Sequence, residues 1–157
     1  MSIKFIDCPM FLSKFYAGKL SKIVPDLEIN TRELVPSEMR RLVEDCEFVM
    51  NDHTYMDTEF LDNCKKLKSI VFMGTGASSF IDIPAAKRRG IRVRTIKGYG
   101  DRSVAEHAIA LMFSAGRRLV EMDRSIRQGE WTTLTSMEFR GKRLGVVGTG
   151  GIGSEVV

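Results

Sequence analysis

Residues 1–97 alternate between short apolar segments and longer segments in which apolar residues recur at helical spacing. The short apolar or alternating segments predict strands, which are Ile3–Ile6, Leu27–Ile29, Phe48–Met50, Leu67–Phe72 and Ile91–Thr95. The segments of helical spacing, bounded by Pro, Asp or Gly as helices often are, predict helices, which are Met10–Ile23, Pro36–Asp45, Asp57–Lys65 and Ile83–Arg89. Strands that alternate with helices predict an α/β fold with a mostly parallel sheet and helices on both faces.

A different pattern begins at Gly98-Tyr99-Gly100, where two glycines flank an aromatic residue as in a hinge or linker. Beyond it we predict a long helix capped by Asp101 or Ser103 and a second helix over Arg117–Gln128. The apolar face predicted for the long helix comprises Val104, Ala108, Leu111, Met112 and Ala115. A polar segment follows, and Leu144–Val147 then predicts another strand. We therefore place a domain boundary near residue 97.

The last predicted strand runs directly into the pattern G-x-G-x-x-G, which begins at Gly148 and precedes a helix start. Gly148 permits the tight turn, and Gly150, which has no Cβ, lets a pyrophosphate approach the backbone. Gly153 lets the helix lie close to the strand, while Gly151 and Ile152 lie under the pyrophosphate at the start of the helix. The pattern predicts a dinucleotide site, and a tight turn without a ligand is the alternative.

The choice between NAD and NADP depends on residues further along such a domain. An acidic residue about 20 residues after the glycines contacts the ribose of NAD in these proteins. Residues 1–157 do not extend that far, so NAD and NADP are both retained as the predicted cofactor.

Composition narrows the class of protein. Hydrophobic residues make up 43% of the chain and charged residues 28%, as in ordinary globular proteins, and the net charge is +4. Basic residues form no stripe for nucleic acid, and no apolar run approaches the roughly 20 residues of a membrane span. The start has no signal-peptide pattern, and Cys8, Cys46 and Cys64 match no metal-binding spacing. We therefore expect a cytoplasmic protein with reduced thiols, no metal, no membrane association and no nucleic-acid partner.

A series of segments in a particular order carries a resemblance to a known family. The segments are Val71–Gly76, Ile81–Ala86, Arg89–Val93, Gly98–Gly100, Ser103–His107 and Gly141–Gly148. Together with the glycine turn they resemble the D-isomer-specific 2-hydroxyacid dehydrogenases, a group that includes phosphoglycerate dehydrogenase, glyoxylate/hydroxypyruvate reductase and D-lactate dehydrogenase. The resemblance implies an NAD(P)-dependent oxidoreductase that transfers a hydride between C2 of a small 2-hydroxy or 2-oxo acid and nicotinamide.

The resemblance also implies how the chain is divided. Residues 1–97 correspond to a flavodoxin-like substrate domain, and residues 98–157 to the hinge, long helices and first strand and turn of an incomplete Rossmann domain. In the family, backbone N–H groups of a loop after a strand bind the substrate carboxylate, and this loop corresponds to Gly74, Thr75, Gly76 and Ala77. Val104 corresponds to a residue that lies against the nicotinamide.

The family's catalytic Arg, Glu and His come from a later part of the Rossmann domain, and the resemblance places none of them within residues 1–157. Glu106 and His107 are not predicted to act as an acid–base pair, because adjacent helical residues point in different directions. We therefore expect an N-terminal fragment that is inactive alone. The helix Arg117–Gln128 and the segment to Arg140 match the region by which members of the family dimerise, so the resemblance implies a homodimer for the full-length protein. Trp131 is either an anchor of that interface or packed within one chain.

Two other functions stay open at this level. One is a nonenzymatic dinucleotide-sensing module like the family's corepressor branch, which binds protein partners. The other is a different Rossmann enzyme of similar layout, such as a relative of alanine dehydrogenase or formate dehydrogenase. The segment Gly98–His107 argues mildly against an alanine dehydrogenase relative.

Overall fold

Parallel strands form a single sheet in the N-terminal part of the chain. The strands are β1 (Ile3–Phe5), β2 (Leu27–Ile29), β3 (Phe48–Asn51), β4 (Ser69–Phe72) and β5 (Arg92–Thr95). Their order across the sheet is β2-β1-β3-β4-β5, and every neighbouring pair is parallel. This is the flavodoxin-like order of doubly wound α/β proteins, so the α/β fold and the flavodoxin-like sheet predicted from the sequence are confirmed.

The computed structural model describes residues 2–157, which divide into unit 1, ending at Lys97, and unit 2 (Gly98–Val157). Helices connect the strands of unit 1, as expected for parallel strands, which need a crossover connection. These helices are α1 (Met10–Leu20), α2 (Pro36–Val43), α3 (Thr58–Asn63) and α4 (Ile83–Arg88). A short 3-10 turn over Ala77–Ser79 follows β4.

Local signals account for the ends of several of these helices. The side chain of Asp57 accepts a hydrogen bond from the N–H of Phe60 at 2.7 Å, so Asp57, the predicted start of this helix, is the N-cap of α3. Gly90 ends α4 with a φ of +70°, a conformation that glycine adopts without strain. The prediction for α1 extended too far, because the chain leaves the helix at Leu20 and the N–H of Ile23 bonds to the Leu20 carbonyl in a turn.

The core of unit 1 lies on one face of the sheet, beneath α2, α3 and α4. Side chains of the central strands, such as Val49 and Ile70, pack there with helical residues such as Val43 and Leu61, and all are at most 1% exposed. Val71 is on the opposite face, because successive strand residues point to opposite faces, and it stays 37% exposed. The burial of one face explains why short strands hold a defined register.

Unit 2 contains α5 (Asp101–Gly116), α6 (Leu119–Arg127) and α7 (Gly151–Val156), and α7 packs against α5. The prediction that Asp101 or Ser103 caps the long helix is wrong. Gly100 is the N-cap residue, and no side chain accepts a capping hydrogen bond there. Asp101 is instead the first residue of the helix, where its charge still favours the positive end of the helix dipole.

The predicted apolar face of α5 is also wrong in part. Val104 is 48% exposed and Leu111 56%, whereas Ala105 is buried at 3%. Helical periodicity predicts that a stripe exists, but in a helix rich in alanine and other small residues, packing partners select which stripe is buried. At the end of α5, Gly116 lies against the ring of Phe139, with no room for a Cβ between them.

The predicted strand Leu144–Val147 is not a strand. Its residues pair with no strand among residues 2–157, and the side chain of Val147 is fully exposed. A strand exists only with a hydrogen-bonded neighbour, and the described residues of unit 2 contain no strand. The apolar sequence pattern therefore predicted a strand for which unit 2 provides no partner strand.

Candidate functional site

The first candidate site is the loop Gly74–Ala77, at the carboxyl end of β4. The loop starts where the N–H of Met73 bonds to the carbonyl of Asn51 at 2.8 Å. A Cβ at Gly74 would stand only 2.7 Å from Cε1 of Phe72, so glycine is needed for the chain to turn past that ring. The absence of a side chain at Gly74 therefore lets the loop backbone pass close to the end of β4.

The N–H groups of Gly74, Thr75, Gly76 and Ala77 have no acceptor among the residues that the structure describes. On either side of these donors, the N–H of Met73 bonds to the Asn51 carbonyl at 2.8 Å, and the N–H of Ser79 bonds to the Gly76 carbonyl at 3.0 Å to form the 3-10 turn. Ala77 is buried and Gly74 half-buried, whereas Thr75 and Gly76 are exposed to solvent. Because buried N–H groups are rarely left without a partner, the unpaired donors at Gly74 and Ala77 are the unusual ones. Four successive free donors therefore form a region that favours an anion.

The far end of this loop is anchored to the segment before α3. The N–H of Met56 bonds to the Phe80 carbonyl at 2.7 Å, and the N–H of Asp82 bonds to the Met56 carbonyl at 2.9 Å. The hydroxyl of Thr58 also donates to Asp82 Oδ2 at 2.6 Å. This hydrogen bond, with a second from the N–H of Ala85, holds the pKa of Asp82 below its ordinary value. Both ends of the loop are thus held by unit 1.

The second candidate site is the glycine turn that leads into α7. Gly148 has a φ of +90°, which favours glycine, and the backbone of Gly153 lies against the Gly148 carbonyl oxygen with no room for a Cβ. Gly150 is different, because a Cβ there would meet no atom within 4 Å. The space beside Gly150 is therefore open to a group outside the protein, as a pyrophosphate cradle requires.

Asp101 is a component of this region that the sequence did not reveal. Its carboxylate occupies the space where a Cβ of Gly151 would lie. The other predicted cofactor-binding residues, Ile152 and Val104, are 37% and 48% exposed. The glycine turn and the first turn of α5 are brought together, because α7 packs on α5 and Asp101 meets Gly151.

Asp7 is a second residue that the sequence did not reveal. Its side chain is only 7% exposed and accepts hydrogen bonds from the N–H groups of Asp52, His53 and Thr54, at 2.8, 2.8 and 2.6 Å. The carboxylate therefore ties the loop after β3 to the end of β1. No local pattern could have indicated this, because the bonded residues are 45 to 47 positions apart.

The remaining polar candidates do not assemble into a catalytic group. His53 Nδ1 lies 3.3 Å from Asp52 Oδ2, on an imidazole that is largely exposed, and Glu106 and His107 are both exposed on α5. Among residues 2–157, no cluster of His, Cys, Asp or Glu could hold a metal ion. Within the same residues, no helix combines the length and the apolar character needed to cross a bilayer.

The order and direction of the strands place the chain among the doubly wound α/β proteins. The sequence profile described as "D-isomer specific 2-hydroxyacid dehydrogenase, catalytic domain" matches residues 11–144. The chain belongs to this family.

Individual relatives agree with the family. The chain is 44% identical over 110 residues to a D-3-phosphoglycerate dehydrogenase of Archaeoglobus fulgidus, a match that covers 69% of this chain and 21% of the relative. Among solved structures, it is similar to an acyclic imino acid reductase in complex with NADPH and D-Arg, with a TM-score of 0.82 and 25% identity, over 99% of this chain and 51% of the other.

A D-lactate dehydrogenase from Aquifex aeolicus, complexed with NAD and lactic acid, has a TM-score of 0.78 and 26% identity, over 99% of this chain and 46% of the other. The chain thus spans about half the length of these solved structures and about a fifth of the phosphoglycerate dehydrogenase.

Proposed function

We propose that this chain is the N-terminal part of an NAD(P)-dependent dehydrogenase of small 2-hydroxy acids, with residues 1–97 as the substrate domain and residues 98–157 opening the dinucleotide domain. The observation that carries the proposal is the row of four free N–H groups at Gly74–Ala77, at the carboxyl end of a central strand. Ligands of doubly wound sheets bind at this edge.

The loop's role is to bind and orient the carboxylate of the 2-hydroxy or 2-oxo acid. Backbone donors do this without a charged side chain, and the glycines of the loop let the anion approach closely. A hydrogen bond from an N–H to a charged acceptor contributes about 1.5–3 kcal/mol. With the carboxylate held, the C2 atom is presented in a defined orientation for hydride transfer.

The glycine turn's role is to hold the dinucleotide pyrophosphate. Gly148 and Gly153 shape the turn, Gly150 leaves the space open, and Gly151 and Ile152 form the first helical turn. Nicotinamide, in NAD or NADP, accepts or supplies the hydride. The exposed Val104 side chain, in the first turn of α5, offers an apolar surface to the ring.

The names of the relatives support the reaction class. One similar structure holds NAD and lactic acid, and another holds NADPH. Both cofactors therefore stay in the proposal, together with a small 2-hydroxy or 2-oxo acid as the substrate.

Residues 1–157 alone are proposed not to turn over substrate. Proton exchange at the hydroxyl needs an acid–base group. His53 and Asp52 lie together but on a largely exposed imidazole, and the resemblance places none of the family's catalytic Arg, Glu and His within residues 1–157. In calorimetry, NADH is expected to bind this chain more weakly than about 1 mM, because one glycine turn provides only part of a dinucleotide site. Submillimolar binding would contradict this expectation.

The full-length protein is proposed to form a homodimer through α6 and the segment that follows it. Trp131 is 87% exposed and Val120 61%, and aromatic side chains are enriched at the centres of interfaces. The exposure of Trp131 within unit 2 supports a role in an interface.

The loop can be tested by removing a single N–H group. Ala77 is the first residue of the 3-10 turn, where Pro is tolerated because the N–H has no intrahelical partner. Ala77→Pro is expected to weaken the binding of oxamate, an analogue of a 2-oxo acid, by about tenfold. Ala77→Ser keeps the N–H group and serves as the matched control.

The measurement is a titration of 15N-labelled protein with oxamate. Amide shifts are expected at Gly74–Gly76 in the native chain and in Ala77→Ser, with Ala77→Pro requiring more oxamate for the same shift. Equal affinity in the two variants, or shifts confined to other loops, would count against the proposed role of the loop.

A further inference from the structure

The direction of the chain through the sheet reverses between β1 and β3. From β1 the chain proceeds to β2 on one side, and then crosses to β3 on the other. The loops that leave β1 and β3 therefore part at the carboxyl edge and leave a crevice, and ligands of doubly wound sheets bind at such switch points. Unit 1 has a cavity of about 680 Å³ at this place, within the size range of small-molecule sites.

The crevice is distinct from the loop proposed to hold the substrate carboxylate. Its lining comes from the ends of β1, β2 and β3 and from α2 and α3, and includes none of Gly74–Ala77. Its walls are anchored on both sides to the end of β1.

On the β2 side, Asn30 holds the wall in place. Its N–H bonds to the Phe5 carbonyl at 2.8 Å, and its side-chain amide donates to the Ile6 carbonyl at 2.7 Å and to the Arg32 carbonyl at 2.9 Å. On the β3 side, the three N–H groups bound by Asp7 hold the opposite wall. A crevice with both walls fixed loses little conformational entropy when a ligand binds.

The wall of the crevice carries charged side chains of opposite sign that form no ion pairs with the described residues or have few hydrogen-bond partners. The guanidinium of Arg32 makes no ion pair with any residue from 2 to 157, and neither does the carboxylate of Glu33. Oδ1 of Asp7 accepts one N–H group and Oδ2 accepts two, whereas a carboxylate offers about four acceptor positions. Oδ2 also lies 3.7 Å from Nδ1 of His53, which lines the same crevice, so Oδ1 is the oxygen of Asp7 with fewer partners.

The rest of the crevice is apolar. Leu34 and Pro36 lie on the β2 side, while Met39 from α2 and Phe60 from α3 form its floor, at 6% and 5% exposure. Cys8 also lines it, and burial, reinforced by the Asp52 and Asp7 carboxylates, raises the pKa of its thiol. The thiol is thus held neutral, which favours reversible binding over covalent chemistry.

These features restrict the ligand. A simple carboxylate that paired with Arg32 would face the carboxylates of Asp7 and Glu33, and a simple amine would leave Arg32 unpaired. We propose that the crevice binds a free α-amino acid with an apolar side chain, with its carboxylate on Arg32, its ammonium group toward Asp7 and Glu33, and its side chain on Leu34, Met39 and Phe60. Arg pairs well with a carboxylate because its planar fork donates two parallel hydrogen bonds.

The test is an amide-shift titration of the 15N-labelled chain with L-leucine, L-methionine and L-phenylalanine. At least one is expected to shift the amides of Arg32–Leu34 and Asp52–Thr54 with a Kd at or below about 10 mM. For leucine, 4-methylpentanoate lacks the ammonium group and 3-methylbutylamine lacks the carboxylate. Each analogue is expected to bind about tenfold more weakly, the effect of losing one charged hydrogen-bond partner.

Two matched variants test whether Arg32 is the residue that binds the carboxylate of the amino acid. Arg32→Gln is expected to weaken amino-acid binding about tenfold and leave the affinity for 3-methylbutylamine unchanged. Arg41→Gln removes another exposed arginine that makes no ion pair with any residue from 2 to 157 and does not line the crevice, so it is expected to have no effect.

Several results would overturn the proposal. They are the absence of shifts at these amides with all three amino acids, equal binding by the carboxylate analogue, and equal binding by Arg32→Gln and native protein. None of them bears on the loop Gly74–Ala77, which the oxamate titration tests separately.

Discussion

The backbone of Gly153 packs directly against the carbonyl oxygen of Gly148, so that the two ends of the glycine turn are in contact. This contact allows the chain to pass from an extended segment into α7 within a few residues. The glycines of the pattern differ in this respect. A Cβ at Gly153 would meet the carbonyl oxygen of Gly148, whereas a Cβ at Gly150 would lie in open space.

Gly153→Ala is therefore expected to destabilise unit 2 by about 1–3 kcal/mol, because the added Cβ overlaps the Gly148 carbonyl and forces the backbone apart. Gly150→Ala is the matched control and is expected to change stability by less than about 0.5 kcal/mol, since its φ of −73° suits any residue and its Cβ meets nothing. Urea unfolding followed by circular dichroism measures both. Similar losses in the two variants would show that the contact is not the cause.

Asp7→Ala is expected to lower the free energy of unfolding by about 2–4 kcal/mol, because three backbone N–H groups lose a charged acceptor. Asp26, an exposed aspartate with no hydrogen bond or ion pair among residues 2–157, provides the control variant Asp26→Ala, which should stay within about 0.5 kcal/mol of native protein. Urea denaturation is the measurement. A loss for Asp7→Ala no larger than the control's would refute the role of Asp7 in tying β1 to the loop after β3.

The buried thiol of Cys64 is expected to lower the free energy of unfolding at alkaline pH. Burial raises the pKa of its thiol from 9.0 to about 11. The folded state keeps the proton while the unfolded chain releases it above 9.0, so this contribution is complete below pH 9 and is lost as the pH rises toward 11. Cys64→Ala should therefore show a shallower fall in stability than native protein over this range. Parallel curves for the two proteins would contradict the prediction.

Amide hydrogen exchange distinguishes the paired strands of unit 1 from the unpaired segment Leu144–Val147. Amides of β4 are expected to be protected, because β4 is hydrogen-bonded on both sides by β3 and β5. Amides of Gly145–Val147 are expected to exchange near the rate of an unfolded chain, since they have no acceptor among the described residues. Strong protection at these positions in the monomer would mean that a partner strand exists.

Local signals in the sequence were sufficient to predict most of the helices and strands of unit 1. Apolar alternation in Leu27–Ile29 and Arg92–Thr95, and the cap at Asp57, depend only on neighbouring residues, so the elements they predict agree with the structure. The glycine pattern was equally local, and its backbone conformation at Gly148 follows from the residue type. The function of these glycines stays a prediction.

Other features could not be predicted, because they depend on contacts between distant residues. The burial of Ala105 instead of Val104 depends on which elements pack against α5, and the bond of Asp7 to Thr54 spans 47 residues. The predicted strand Leu144–Val147 was wrong for the same reason, since a strand is defined by its partner and not by its own residues.

The sequence by itself determined the positions of most helices and strands and the presence of the two glycine segments, because hydrophobic period and turn chemistry act over a few residues. The tertiary structure decided which faces are buried, which N–H groups are left free at Gly74–Ala77, and where the crevice beside Asp7 opens. These properties depend on how strands are ordered in the sheet, and that order is set by the packing of the whole unit.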